Sequence, residues 1–198
     1  MIAQALPNAL EQHFGLTNAA RTGATSKPAP TAIDVVAANH YTRIHALMPA
    51  LSTAPYRALE LRKGLSTIDL RWKPAENEHS IIEHLCHLRD IEKERHGIRI
   101  CRLLAEDQPW LVAVYSDALE GNRRYREQHP LAVINDFFQA RQVNIVRIRG
   151  ASPAQLLRQG CLMHVGPVRI IDVVHMMIKH DQEHLRVISG LREMLLTL

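Results

Sequence analysis

Val173–Leu191 reads VVHMMIKHDQEHLRVISGL, and its pattern decides both the fold and where function is to be sought. Val173, Met177, His180, His184, Val187 and Leu191 recur at steps of three and four, so they form one stripe along a helix. A stripe of this kind faces a core. Two of its members are histidines, which interrupt the apolar face instead of decorating the wet one. Four residues apart, their Cβ atoms stand about 6 Å from each other. A buried imidazole costs free energy unless its ring nitrogens find partners, and a metal ion satisfies one nitrogen on each ring. A carbonyl or carboxylate does so too, and 12 histidines among 198 residues give about one such pair by chance. A metal site needs a third donor.

The stretch Glu83-His84-Leu85-Cys86-His87-Leu88-Arg89-Asp90 offers two. Ser80 followed by Glu83 reads as a capping box, opening a helix that runs to Ala105 and ends at Asp107, Gln108 and Pro109. His87 shares a face with Ile91 and Ile98, and His84 lies with Ile81, Leu88 and Ile91, so spacing leaves both open as inward residues. A solvated or interface role is the alternative for His84. One imidazole from this helix, added to His180 and His184, makes three nitrogen ligands and leaves a coordination position open. That layout belongs to catalytic sites, since a closed structural site has no room for substrate. His96, His164 and His175 have no partner at i,i+4 and read as incidental. Asp90, Glu92, Asp181 and Glu183 are near enough in sequence to support a site, with Asp181 and Glu183 expected on the exposed helix surface.

The remaining sequence is helical in pattern. From Ala32, residues Ile33, Val36, Tyr41, Ile44, Leu47 and Met48 recur at helical steps. Pro49 and Pro55 predict a break there, with the helix resuming over Tyr56–Leu65. A short polar helix is expected at 116–128 and a long one at 130–149, with Gly150 as its C′ residue. Ser152-Pro153 starts a short helix that Gly160 ends, Leu162–Pro167 reads as loop, and the last helix spans 169–197. Four long helices make an all-α, up-down four-helix bundle with short connecting helices the economical architecture. No strand pattern competes. Residues 1–30, with the Gly/Pro/Ser/Thr cluster Thr22–Pro30, read as a disordered or weakly structured tail carrying at most a short helix near 8–14. The folded domain is 31–198.

Composition narrows the function classes. Hydrophobic residues make up 46% and charged residues 22%, as in ordinary globular proteins. The formal charge of +4 is scattered among acids, which argues against a nucleic-acid footprint. Its most basic stretch, Arg141–Arg149, suits an amphipathic helix. No apolar run approaches the ~20 residues of a membrane span. Three cysteines without CxxC, and an opening segment without a basic export signal, point to the cytoplasm. HDQEH is not HExxH, and GxSxG, P-loop, GxGxxG and zinc-deaminase motifs are all missing. ExxH occurs once among these segments, at Glu76–His79, without the second copy a di-iron bundle needs. Cys86 points about 100° away from His87 on a helix, which weakens it as a nucleophile.

Several motifs together resemble one family. Arg71-Trp72-Lys73-Pro74, then His87-Leu88-Arg89-Asp90-Ile91-Glu92 as HLxDxE, Phe138 and Arg141 as F..R, His164-Val165-Gly166-Pro167-Val168, and the closing His180-Asp181 with His184-Leu185 as HDxxHL are similar to the DinB-like superfamily in order and spacing. The resemblance covers about 40–195. His79 departs from it, standing where the family usually has tryptophan. It implies a four-helix bundle, often a homodimer, with a divalent transition metal on His87, His180 and His184, zinc or nickel first and iron or copper next. It also selects His87 over His84 as the ligand. Relatives that move or isomerise groups with low-molecular-weight thiols imply thiol-dependent transfer or hydrolysis on a small-molecule substrate. The competing expectation is a non-catalytic metal-binding or dimerisation module.

Overall fold

The structure is a computed structural model that describes residues 31–113 and 123–197. The tail to residue 30, the short helix near 8–14 and most of the helix expected at 116–128 lie outside the described residues. Helix α1 spans Ala32–Arg62 and opens on Thr31, whose hydroxyl and N–H both donate to the Asp34 carboxylate. A short α2, Thr67–Arg71, follows, capped by Ser66, whose N–H donates to the Asp69 carboxylate while its hydroxyl oxygen accepts from the Asp69 N–H. The next rod is α3 (Ile81–Asp90), a π-helical segment (Ile91–His96) and α4 (Gly97–Ala105) in unbroken succession. At its start the Glu83 carboxylate accepts from the Ser80 N–H and hydroxyl at 2.8 and 2.6 Å, as the capping-box reading requires.

Strand β1 (Trp110–Leu111) and a 3-10 turn at Tyr125–Glu127 lead to α5 (Pro130–Gly150) and the short α6 (Pro153–Leu156). Strands β2 (Gly160–Leu162) and β3 (Gly166–Val168) then precede the last helix, α7 (Ile170–Thr197). The four long helical rods pack as a bundle, α1 against α7 and α5, and α3 against α5 and α7.

Three expectations are corrected. First, α1 runs straight through Pro49 and Pro55. An interior proline leaves the carbonyl four residues back without its N–H, which for Pro55 is that of Leu51. Here that carbonyl accepts instead from Arg141 Nη1 of α5, at 2.8 Å. Second, strands are present: β1 pairs parallel with β2, and β2 antiparallel with β3. Strands of two or three residues are too short to show an alternating pattern. Gly160 is required at this point, because a Cβ there would meet the Pro109 carbonyl oxygen at 2.8 Å and Leu103 Cδ2 at 2.9 Å. Third, Gly150 is the last helical residue of α5, and the cap is Ala151.

The core has two apolar halves with a polar layer between them. One half gathers Met48, Leu51, Ile100, Ile145 and Met177, and the other Ala58, Leu85, Leu88, Phe137 and Ile188. Between them lie the buried side chains of Glu92, Arg141, Asn144 and Asp181. This layer sits directly beside the histidines.

Candidate metal centre

His87 from α3 and His180 and His184 from α7 come together at the middle of the bundle, with one potential ligand atom of each within 4.8 Å of the others. The Nε2 atoms of His87 and His180 are 3.1 Å apart. A tetrahedral ion holding imidazoles at 2.0–2.1 Å separates its ligand nitrogens by about 3.3 Å, so this spacing suits coordination. All three residues chosen from sequence are thus in one cluster. His164 and His175 are exposed and outside it.

The cluster is larger than the triad. Imidazole rings run from His79 through His84, His184, His87 and His180 to His96, with successive centroids 4.5–5.8 Å apart. His84 is buried, and its Nδ1 lies 2.9 Å from Nδ1 of His184. With the hydrogen on Nδ1 of His184 and Nδ1 of His84 accepting it, Nε2 of His184 keeps its lone pair for a metal. His84 is therefore neither solvated nor a surface residue. His96, read from sequence as incidental, is also buried, and both its ring nitrogens lack a hydrogen-bond partner among the described residues.

Burial keeps His84, His87, His180 and His184 neutral. It pushes His87 and His184 down to about 4, His84 to about 3 and His180 to about 2, with neighbouring positive charge adding to the effect. Neutral imidazole is the form that coordinates a metal. The donor set therefore fits a divalent transition-metal ion.

Carboxylates lock the surroundings. Asp181, expected on the surface, is buried: its oxygens accept from Arg141 Nη1 at 2.7 Å and Nη2 at 3.0 Å. Arg141 Nη2 also donates to Glu92 at 2.9 Å, and Asn144 Nδ2 to the same carboxylate at 2.7 Å. Burial opposes the Arg141 charge, yet Glu92 and Asp181 outweigh it and raise the guanidinium pKa. For Asp181 burial is the larger influence and raises the carboxyl above its usual value, against the downward pull of Arg141. With two guanidinium N–H groups on its oxygens, it is the ionised pair that fits this geometry. The residue beside His180 in sequence is thereby pinned to α5. Glu183 is exposed, as expected, near Lys179.

Asp90 forms a second anchor, one turn beyond His87. It accepts from Arg89 Nε at 2.7 Å, the Tyr125 hydroxyl at 2.8 Å and Arg123 Nη1 at 2.8 Å. Burial would raise its carboxyl, but these donors prevail and hold it below the usual range. Cys86, by contrast, is buried, with its thiol pushed up to about 12 and directed at the Tyr125 carbonyl and Gln128. It is no nucleophile.

Known proteins share this framework. YfiT from Bacillus subtilis, described as a probable metal-dependent hydrolase with an unusual four-helix bundle topology, superposes with a TM-score of 0.68 at 13% identity. The match covers 76% of this chain and 86% of that one. No curated protein matches the sequence. Among the described residues no helix is long and apolar enough to cross a membrane. The family model of the DinB superfamily matches residues 50–188, a span that contains all three clustered histidines and the Arg141 network. By that match, the chain belongs to the DinB superfamily.

Proposed function

We propose that this chain is a metal-dependent enzyme that uses a low-molecular-weight thiol for group transfer on a small-molecule substrate. The observation that carries this reading is the triad: three neutral imidazoles from two helices, with potential ligand atoms within 4.8 Å, and no carboxylate joining the cluster among the described residues. Three uncharged ligands leave a divalent ion its full charge and an open position, and such an ion acidifies a coordinated thiol or water. His87, His180 and His184 would hold it. His84 sets the orientation of His184 through Nδ1, and Arg141 with Asp181 fixes the turn of α7 that carries His180.

The thiol comes from solution in this reading. Cys86, the cysteine next to the triad in sequence, is protonated and turned toward Tyr125 and Gln128. Hydrolysis is the second reading, favoured by the description of YfiT. The two separate in one assay. Zinc- or nickel-loaded protein is incubated with an electrophile, with and without glutathione or cysteine. Metal-dependent loss of thiol supports transfer. Turnover that needs no thiol supports hydrolysis. No turnover by loaded protein across both sets would contradict the enzymatic reading.

A further inference from the structure

The basic residues of the α3–π–α4 rod divide into two groups. Arg89 is bonded to Asp90, Lys93 to Asp136 and Arg102 to Glu106. Arg95 and Arg99 have no acidic or hydrogen-bond partner among the described residues, and the Nε of each is buried without one. Arg99 is buried and Arg95 half-buried. Two guanidinium groups four residues apart repel on one helix face, and both lose hydration. That arrangement is costly in the free protein.

Their position explains what the cost is for. In an uninterrupted α-helix Arg95, eight residues past His87, would lie about 80° around the axis from it. The π segment Ile91–His96 winds more slowly and returns Arg95 toward the face that carries His87. His96, the next residue, packs its ring edge-on to His180 with centroids 5.8 Å apart. After burial, which is the larger influence, the Arg95 charge is among the groups that lower His87, His180, His184 and His96. Another buried cation, Arg141, is already neutralised by Glu92 and Asp181.

We propose that Arg95 and Arg99 form an anion subsite beside the three histidines, and that the substrate carries a carboxylate or phosphate held there. Guanidinium groups bind both oxyanions through forked N–H donors. This assignment deepens the metal-centre reading and rests on it for the reaction, while anion binding itself is measured separately.

The test is calorimetric titration of inorganic phosphate, and in parallel malonate, into the full chain, with metal content determined on the same preparations. Wild type is compared with Arg95→Gln/Arg99→Gln and with His180→Ala/His184→Ala. The expected result is saturable binding to wild type, weakened at least tenfold in the arginine variant and kept in the histidine variant. A preference between phosphate and malonate assigns the anion class. The arginine variant should also melt at or above the wild-type temperature in the absence of anion, because repulsion is removed. Should it fail to fold, Arg95→Lys/Arg99→Lys replaces it, keeping charge without the fork, with a smaller loss of affinity. Binding unchanged in the arginine variant, or lost only with the histidines, would overturn the subsite. Arginine-dependent binding in protein that takes up no metal would leave the subsite standing and remove the metal reading instead.

Discussion

Leu51 and Arg141 are joined across α1 and α5 by a 2.8 Å hydrogen bond whose acceptor is free because Pro55 has no N–H. The proline, which on local rules ends the helix, here supplies a carbonyl to the polar layer. Arg141, on α5, meets Leu51, Glu92 and Asp181 at once, tying all four rods together.

Removing Arg141 is therefore predicted to be among the most damaging single changes. Arg141→Met strands two buried carboxylates and a carbonyl, and breaking one side of such a network costs about 3–5 kcal/mol. Urea unfolding measures it. Arg141→Lys should recover only part of the loss, since one ammonium cannot reproduce the fork. A loss below about 1 kcal/mol for Arg141→Met would contradict the role given to this layer.

His84 is predicted to support the metal without ligating it. With its Nδ1 at 2.9 Å from that of His184, His84→Ala should weaken metal affinity about 10–100-fold while one equivalent still binds at saturation. Competition against a chelating dye gives both values. Unchanged affinity would mean the contact does not orient His184, and loss of stoichiometric binding would make His84 a ligand.

Asp90 yields a pH prediction. Its folded pKa lies below the unfolded one, so its contribution is complete above the unfolded value, about 4, and is lost as pH falls through the folded value. Asp90→Asn should lower the urea midpoint at pH 7, and the gap to wild type should narrow at pH 3. An equal gap at both pH values would show that charge at Asp90 does not contribute.

Much of this was legible in the sequence, and the omissions have physical causes. The stripe from Val173 to Leu191 and the Ser80–Glu83 cap follow from local periodicity and capping, and both are present. His180 and His184 could be paired from spacing alone, whereas choosing His87 over His84 needed the family resemblance. The structure then shows both near His184. His96 was hidden by the π segment: nine residues past His87 is two and a half α-helical turns, the opposite face. Slower winding over Ile91–His96 brings it to His180. Asp181 was misplaced because its burial depends on Arg141, 40 residues away, and no local pattern records that partner. Strands β1 to β3 were missed because each is shorter than two periods of alternation.

The most direct test of the centre is metal content per chain in wild type beside His180→Ala/His184→Ala, both checked by circular dichroism. Near one equivalent of a divalent transition metal in wild type, and none in a folded variant, is the predicted result. No metal in either protein, with melting unmoved by added zinc or nickel, would contradict it. The clustered imidazoles would then be core residues of a helical interaction module.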